Sequence, residues 1–221
     1  MNMLALEGAT PVCSVALITA AGVIDDSANG LVRAEVLLAM VKGLLDRADL
    51  RPADLDAIAF GRGPGSFTGL RVVASLVQGI AFAADIPVVP VSSLQALAQA
   101  APFTEVMAAI DARREEVYYG YFKRDADNMA VLVGQETLAA PASVHVLRGI
   151  NVQGVGTGWD HYADALQSRL GLSWHPHCAP TAQAILAIAK RDWEAGRHVH
   201  AASALPVYLR DDVVQAPPAL W

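Results

Sequence analysis

Cysteine is scarce in this sequence. Only Cys13 and Cys178 occur among its 221 residues, in neither a C-x-x-C pair nor a dense framework. This excludes a disulfide-stapled fold and predicts a reduced, cytoplasmic protein. Long apolar runs are also missing, since none reaches the roughly 18 residues that span a bilayer, and the first residues lack the basic start of a secretory signal. We therefore expect no contact with a membrane.

Charge is the second scarce property. Charged residues make up 17% of the chain against 54% hydrophobic residues, and the formal net charge is −6. The basic residues are scattered, and their densest groups are the pairs Arg113-Arg114 and Lys123-Arg124. A protein that grips a nucleic-acid backbone unaided carries a basic stripe, so we expect no primary nucleic-acid binding. So low a charged fraction indicates instead that another protein covers part of an apolar surface.

The densest motif is a glycine-rich loop at residues 61–71, Gly-Arg-Gly-Pro-Gly-Ser-Phe-Thr-Gly-Leu-Arg. Its glycines and proline predict a sharp turn from a strand into a helix, with Ser66 and Thr68 at the capping positions. Backbone N–H groups at such a turn favour an anion or a docked partner. The loop is not a Walker loop, because no lysine occurs between Lys42 and Lys123. A turn without any ligand is the alternative.

Apolar periodicity predicts an α/β chain built from two similar halves. Strands are predicted at residues 3–6, 14–18, 23–24, 57–60, 87–91, 106–110, 117–122, 129–133 and 152–154, and helices at 31–48, 70–82, 92–101, 162–170 and 181–195. Each half opens with a strand that ends in an acid, Glu7 or Asp111, followed by a polar turn and a return strand, which indicates an internal duplication. The predicted lobes are 1–102 and 103–202, with residues 203–221 packing back on the first.

Residues for catalysis or for metal binding are hard to find. The alternating pairs His175/His177 and His198/His200 have no nearby acid in a metal-ligand spacing, so we predict neither a metal site nor a catalytic residue. The run Glu7-Gly8-Ala9-Thr10 resembles the first phosphate loop of the actin and sugar-kinase superfamily, Asp-x-Gly-Thr/Ser, with Glu in place of Asp. The longer acid argues against efficient phosphoryl transfer. The candidate nucleotide-binding residues, with ATP or ADP as ligand, are Glu7, Thr10, Gly63, Gly65, Ser66 and Thr68.

Four segments in order resemble the TsaB (YeaZ) family of tRNA threonylcarbamoyladenosine biosynthesis. They are residues 63–71, the start 4–17, the strand turn 110–118 and the C-terminal Pro-Val-Tyr-Leu-Arg at 206–210. The resemblance covers nearly the whole chain. It implies an actin-like ASKHA fold with two lobes, each a mixed β-sheet flanked by helices, in agreement with the duplication.

The resemblance also implies a function without catalysis by this chain. TsaB-type proteins are scaffolds and activators of their paralogue TsaD, which forms N6-threonylcarbamoyladenosine (t6A) at position 37 of tRNAs that read ANN codons. It further implies that TsaE joins a larger assembly and that tRNA is reached only through the complex. TsaD-type chains carry an H-x-E-x-H segment, and this chain has none. The alternative is an independent ASKHA-type phosphotransferase or ATPase that uses Glu7, Thr10 and the glycine-rich loop.

In the family, two helices of the first lobe form the heterodimer surface, and a similar surface can form a homodimer. The matching helices here are 31–48, which is apolar on two faces, and 70–82, which carries small residues four positions apart. The predicted interface residues are Glu35, Leu38, Lys42, Leu45, Arg71, Ser75, Gln78 and Gly79. Three positions depart from the family pattern: Arg33 replaces histidine, Val73 replaces glycine and Gln78 replaces lysine.

Overall fold

A computed structural model describes residues 1–145 and 151–210 of the chain. The first part of the chain forms a five-stranded mixed sheet. Its strands are β1 (Met3–Glu7), β2 (Val12–Thr19), β3 (Gly22–Asn29), β4 (Ala57–Gly61) and β5 (Val88–Val91). They lie in the order β3-β2-β1-β4-β5, with β1 antiparallel to β2 and parallel to β4.

A second mixed sheet follows in the chain. Its strands are β6 (Glu105–Arg113), β7 (Glu116–Arg124), β8 (Ala130–Leu132), β9 (Thr137–Ala139), β10 (Gln153–Val155) and β11 (Ser173–His175). The main order is β11-β10-β6-β7-β8, and β9 pairs with β7 beside β8.

The two sheets repeat one topology. Each opens with three antiparallel strands, and the first of these then pairs in parallel with a fourth strand, which pairs with a fifth. Read from β8, the second sheet has the same order as the first. The predicted two-lobed fold, with a mixed sheet flanked by helices in each lobe, is therefore confirmed.

Five α-helices of the described residues cover the sheets. They are α1 (Ala34–Ala48), α2 (Phe67–Ala84), α3 (Ser93–Ala100), α4 (Thr157–Leu170) and α5 (Ala182–Glu194). Alternation along β1 directs Leu4 and Leu6 toward α1 and α2, and Met3 and Ala5 toward α5. In the second sheet, one face packs on α3 and the other on α4, where the buried Trp159 lies.

The last helix of each repeat packs on the sheet of the other repeat. Helix α3 follows β5 in the chain yet contacts β6, β7 and β8, and α5 follows β11 yet contacts β1, β2, β4 and β5. The two helices also contact each other. An apolar helix face packs on whichever sheet face is uncovered rather than on its neighbour in sequence. The predicted lobe bounds, 1–102 and 103–202, stay a prediction.

Helix α2 starts three residues before the predicted position because Ser66, not Thr68, is its N-cap and accepts a hydrogen bond from Gly69 N at 3.3 Å. Its 18 residues have a mean hydropathy of 1.5, so by length and composition α2 could cross a membrane. One such helix is weak evidence, since a helix packed on the core of a soluble protein passes the same test.

Candidate functional site

A cleft of about 490 Å³ lies between the two lobes. Loops of the first sheet form one wall, and the β6–β7 hairpin and the start of α4 form the other. The lining segments are residues 9–11, 30–32, 65–68 and 110–114, together with Tyr118, Thr157, His161, Tyr208 and Arg210.

Glu7, a candidate nucleotide-binding residue, does not line this cleft. Its side chain is fully buried, and Oε1 accepts hydrogen bonds from the backbone N–H groups of Gly8 at 2.7 Å and Ala9 at 2.6 Å. The hydroxyl of Ser93, at the start of α3, donates to Oε2 at 3.0 Å. Burial raises the pKa of Glu7 in spite of these three bonds. The carboxyl group therefore holds the turn after β1 against α3 and points away from the open space.

Backbone N–H groups of the glycine-rich loop form hydrogen bonds within the protein. The N–H of Gly63 donates to Ser93 Oγ at 3.3 Å, and the N–H of Ser66 donates to Ala9 O at 2.7 Å. Gly63 has a φ of 98°, and a Cβ there would lie 2.7 Å from Leu70 Cδ1, so glycine is required on both counts. A loop held in this way is a rigid connection between β4 and α2.

Four of the six candidate nucleotide-binding residues lie together on the cleft wall: Thr10, Gly65, Ser66 and Thr68. Glu7 and Gly63 lie beneath that wall and do not reach the cleft. The Thr10 hydroxyl is 3.3 Å from both the N–H and the carbonyl oxygen of Val12, so it closes its own turn. The hydroxyl of Ser66 is already the cap of α2.

The opposite wall is organised around Asp111, at the end of β6. Its carboxylate pairs with Arg113 at 3.3 Å and with His161 Nδ1 at 3.1 Å, and the Tyr162 hydroxyl donates to it at 3.3 Å. Tyr162 has non-helical dihedrals, φ −127° and ψ 29°, inside α4. The resulting kink lets the consecutive residues 161 and 162 reach one carboxylate, although residues i and i+1 of a regular helix point in different directions.

Sequence reasoning found Asp111 but missed its partners. The contact of α4 with the hairpin could not be read from spacing, because His161 and Tyr162 lie some fifty positions away in the chain. The hairpin turn itself is unusual, since Arg113, Arg114 and Glu115 all have φ near 60°. This turn places the two arginine side chains on the cleft wall.

The exposed surface of α1 and α2, here called the helix face, is the second candidate site. Seven of the eight predicted interface residues lie on it at least in part: Glu35, Leu38, Lys42, Arg71, Ser75, Gln78 and Gly79. Leu45 does not, and this is a correction, because it is 6% exposed and packs into the core under α1. Phe82, which is 83% exposed, belongs to the same face and was missed, although it lies in the predicted helix.

The three departures from the family pattern lie in different surroundings. Val73 is fully buried and faces Gly8, where a Cβ would lie 2.8 Å from Val73 Cγ2. Gln78 donates from Nε2 to Ala204 O at 3.2 Å, so its side chain ties α2 to the C-terminal part of the chain. Arg33 is the exposed N-cap residue of α1.

Metal-ligating side chains are dispersed. Within residues 1–145 and 151–210, no three His, Cys, Asp or Glu side chains come together in a way that could hold a metal ion. The predicted histidine pairs lie apart, with His175 stacked on Phe103 at 4.3 Å between ring centroids and His198 at 5.1 Å from the ring of Trp193.

Comparisons with known proteins agree with one another. Residues 33–152 match the family model described as TsaD, tRNA N6-adenosine threonylcarbamoyltransferase. The tRNA threonylcarbamoyladenosine biosynthesis protein TsaB of Escherichia coli (strain K12) is 38% identical over 96% of this chain and 96% of its own length. TsaB of Haemophilus influenzae is 34% identical over 96% and 95%, respectively. The structure of YeaZ from Pseudomonas aeruginosa superposes with a TM-score of 0.89 at 40% identity, covering 94% of this chain and 99% of that chain.

Proposed function

Because the chain belongs to the TsaB (YeaZ) family of tRNA threonylcarbamoyladenosine biosynthesis proteins, we propose that it is a non-catalytic subunit that pairs with a TsaD-type threonylcarbamoyltransferase through the helix face. The family expected from the four sequence segments is thus confirmed, and with it a part in t6A formation. TsaE joins the larger assembly in this proposal, and tRNA is reached through the complex.

The exposed apolar side chains of the helix face are the observation that carries the proposal. Leu38 is 52% exposed and Phe82 83%, on two adjacent helices that also present Gly79 and Ser75. Large apolar side chains exposed on neighbouring helices, beside small residues that admit a close neighbour, are typical of protein–protein interfaces. A Cβ at Gly79 would meet no atom of the described residues within 4 Å, so no contact within residues 1–145 and 151–210 requires a glycine in the middle of α2.

The polar groups beside the cleft are mostly engaged within the protein, which argues against catalysis there. Glu7 bonds to its own loop, and the Ser66 hydroxyl and several loop N–H groups are engaged within the protein. These are the groups that a phosphate-binding loop would present to a nucleotide. We therefore assign the glycine-rich loop to the positioning of α2, whose exposed side is the proposed interface.

The partner test is a pairing measurement. The chain and the TsaD-type protein of the same organism are co-expressed, and the complex is detected by native mass spectrometry and size-exclusion chromatography. We expect Gly79→Leu to abolish the complex while the monomer stays folded, because the added side chain enters open space that a partner would occupy. Ala165→Leu on α4, another exposed small-to-large change on a helix, is the matched control and should pair normally. An unchanged complex with Gly79→Leu contradicts the proposed interface.

The cellular test is a nucleoside measurement. Depletion of the chain should lower the t6A content of total tRNA, as determined by mass spectrometry of digested nucleosides, and Gly79→Leu should fail to restore it. If t6A stays at its normal level in depleted cells, the proposed function is wrong.

An independent ATPase is the second candidate. The positive charge of Arg113 and Arg114 at the cleft wall suits an anionic ligand and favours this alternative. The test is ATP hydrolysis by the isolated chain. Hydrolysis that the double change Arg113→Ala and Arg114→Ala removes without a loss of stability would support the ATPase and refute the non-catalytic role.

A further inference from the structure

Residues 206–210, here called the strap, run along the first lobe beside the glycine-rich loop. Val207 N donates to Arg62 O, within the loop, at 2.8 Å. The ring of Tyr208 lies 5.5 Å from the ring of Phe67, and Arg71 Nε donates to the Tyr208 hydroxyl at 3.4 Å. The Arg71 guanidinium also lies 3.8 Å above the Phe67 ring centroid, a cation–π contact. The strap is therefore attached to the first turn of α2.

Two residues further on, the strap reaches the second lobe. Arg210 Nη2 donates to Ala112 O at 3.3 Å and forms an ion pair with Glu116, at the start of β7. The Arg210 side chain is only 16% exposed, whereas that of Arg113 on the same hairpin is 76% exposed. Ion pairs shielded from solvent interact more strongly than exposed ones, so this contact fixes the strap to the β6–β7 hairpin.

The strap lies at the cleft, whereas α3 and α5, the helices that pack on the sheet of the other repeat, do not. Tyr208 and Arg210 are among the lining residues, whereas no lining residue of the described chain comes from α3 or α5. A link at the cleft resists opening of the two walls, while links elsewhere leave the walls free to rotate.

We propose that the strap is a mechanical link that couples the first turn of α2, at the edge of the helix face, to the β6–β7 hairpin on the opposite wall. A partner that displaces Arg71 or Phe67 releases Tyr208, and the hold of Arg210 on Glu116 loosens with it. The link itself is a property of the isolated chain. Its use as a regulator, by which partner binding opens or closes the cleft, rests on the proposed function.

Amide hydrogen–deuterium exchange on the full chain tests the link without any partner. Tyr208→Ala removes the contacts to α2, and its effect is measured as the amide exchange rate across the cleft, at residues 111–116. Arg210→Ala removes the contacts to the hairpin and is read out at residues 67–71. We expect about fivefold faster exchange at the remote wall in each case, as follows from the loss of one or two hydrogen bonds. The control is Arg197→Ala, which breaks an ion pair outside the cleft, between Arg197 Nη2 and Asp192 Oδ1 (2.6 Å). It should change exchange in neither region.

The outcomes separate coupling from simpler effects. Faster exchange at the remote wall, with unchanged exchange in β1, supports the link. Exchange that rises only next to the substituted residue, or rises equally in β1, overturns it, because the effect is then local or a global loss of stability. Since no partner is present, a failure here leaves the pairing result with Gly79→Leu unaffected, and the two proposals fail independently.

Discussion

The buried carboxyl group of Glu7 gives the sharpest test of how this fold is stabilised. Glu7→Ala removes the acceptor for the N–H groups of Gly8 and Ala9 and for the hydroxyl of Ser93. Each buried donor left without a partner costs about 1–3 kcal/mol. Removal of the buried carboxyl also removes its desolvation penalty, which offsets part of this cost. We expect a net loss of roughly 3 kcal/mol in the free energy of unfolding.

Glu7→Gln separates the hydrogen bonds from the charge. The amide oxygen can accept from Gly8 and Ala9, and the amide nitrogen can donate to Ser93 Oγ, but the Ser93 hydroxyl then loses its acceptor. The variant should therefore lose about 1–2 kcal/mol near pH 5, less than Glu7→Ala. A neutral amide also escapes the penalty that raises the pKa of Glu7. If Glu7→Gln is as destabilising as Glu7→Ala, hydrogen bonding is not what the carboxyl provides.

The pH dependence has a definite sign. The pKa of Glu7 is raised above its usual 4.5 in the folded protein, so above pH 4.5 the folded state binds more protons than the unfolded state. The contribution of this group to stability is present below pH 4.5 and is lost as the pH rises through the folded-state pKa. Relative to the wild type, Glu7→Gln should therefore gain stability as the pH increases.

The assay is urea unfolding followed by tryptophan fluorescence, in steps of about one pH unit from about pH 5 to 8. Glu105→Gln is the matched control, because the pKa of Glu105 is lowered and its effect on stability is complete before this range begins. We expect the free energy of unfolding of Glu7→Gln to rise relative to that of the wild type as the pH increases. A difference that stays constant, or changes in the opposite direction, would show that burial does not raise the pKa of Glu7.

Two further predictions concern the second lobe. Gly154→Ala should cost about 1–3 kcal/mol in urea unfolding, since its Cβ would lie 2.6 Å from Trp159 Cζ2, and an unchanged midpoint would mean that the indole can move aside. The Tyr121 hydroxyl donates to Glu105 at 2.7 Å and is the main cause of the lowered pKa of Glu105, so Tyr121→Phe should raise that pKa in a carboxyl NMR titration; a fixed value would assign the lowering to Lys123 instead.

The regular elements were predictable because their signals are local. The apolar run of residues 3–6 became β1, and the 3–4 spacing of residues 31–48 became α1 after a start of three irregular residues. Strands β9 (Thr137–Ala139) and β11 (Ser173–His175) were not predicted, because neither segment is an apolar run of the kind that marks β8, Ala130–Leu132. They form because β7 and β10 offer edges to pair with, which is information from elsewhere in the chain.

The directions of the two strand-end acid side chains could not be predicted from the sequence. Glu7 and Asp111 occupy equivalent places in the duplicated pattern, and in sequence they look alike. In the structure Glu7 turns back onto the N–H groups of its own loop, whereas Asp111 faces the cleft and pairs with Arg113 and His161. The direction of a side chain at a strand end depends on which groups the neighbouring loop and helix bring to it, and no spacing rule carries that information.

Helices α3 and α5 each pack on the sheet of the other repeat, and this has a consequence for synthesis of the protein. The face of the first sheet that carries Met3, Ala5 and Val91 is covered by α5, which begins at Ala182, about 90 residues after β5 ends. At about 5–20 residues per second, the ribosome leaves this apolar face bare for about 5–18 s. The first half of the chain therefore leaves the ribosome as a sheet with one side open to chaperones or to aggregation. The same order of synthesis predicts that the two halves, expressed separately, are each insoluble, and that they fold when co-expressed.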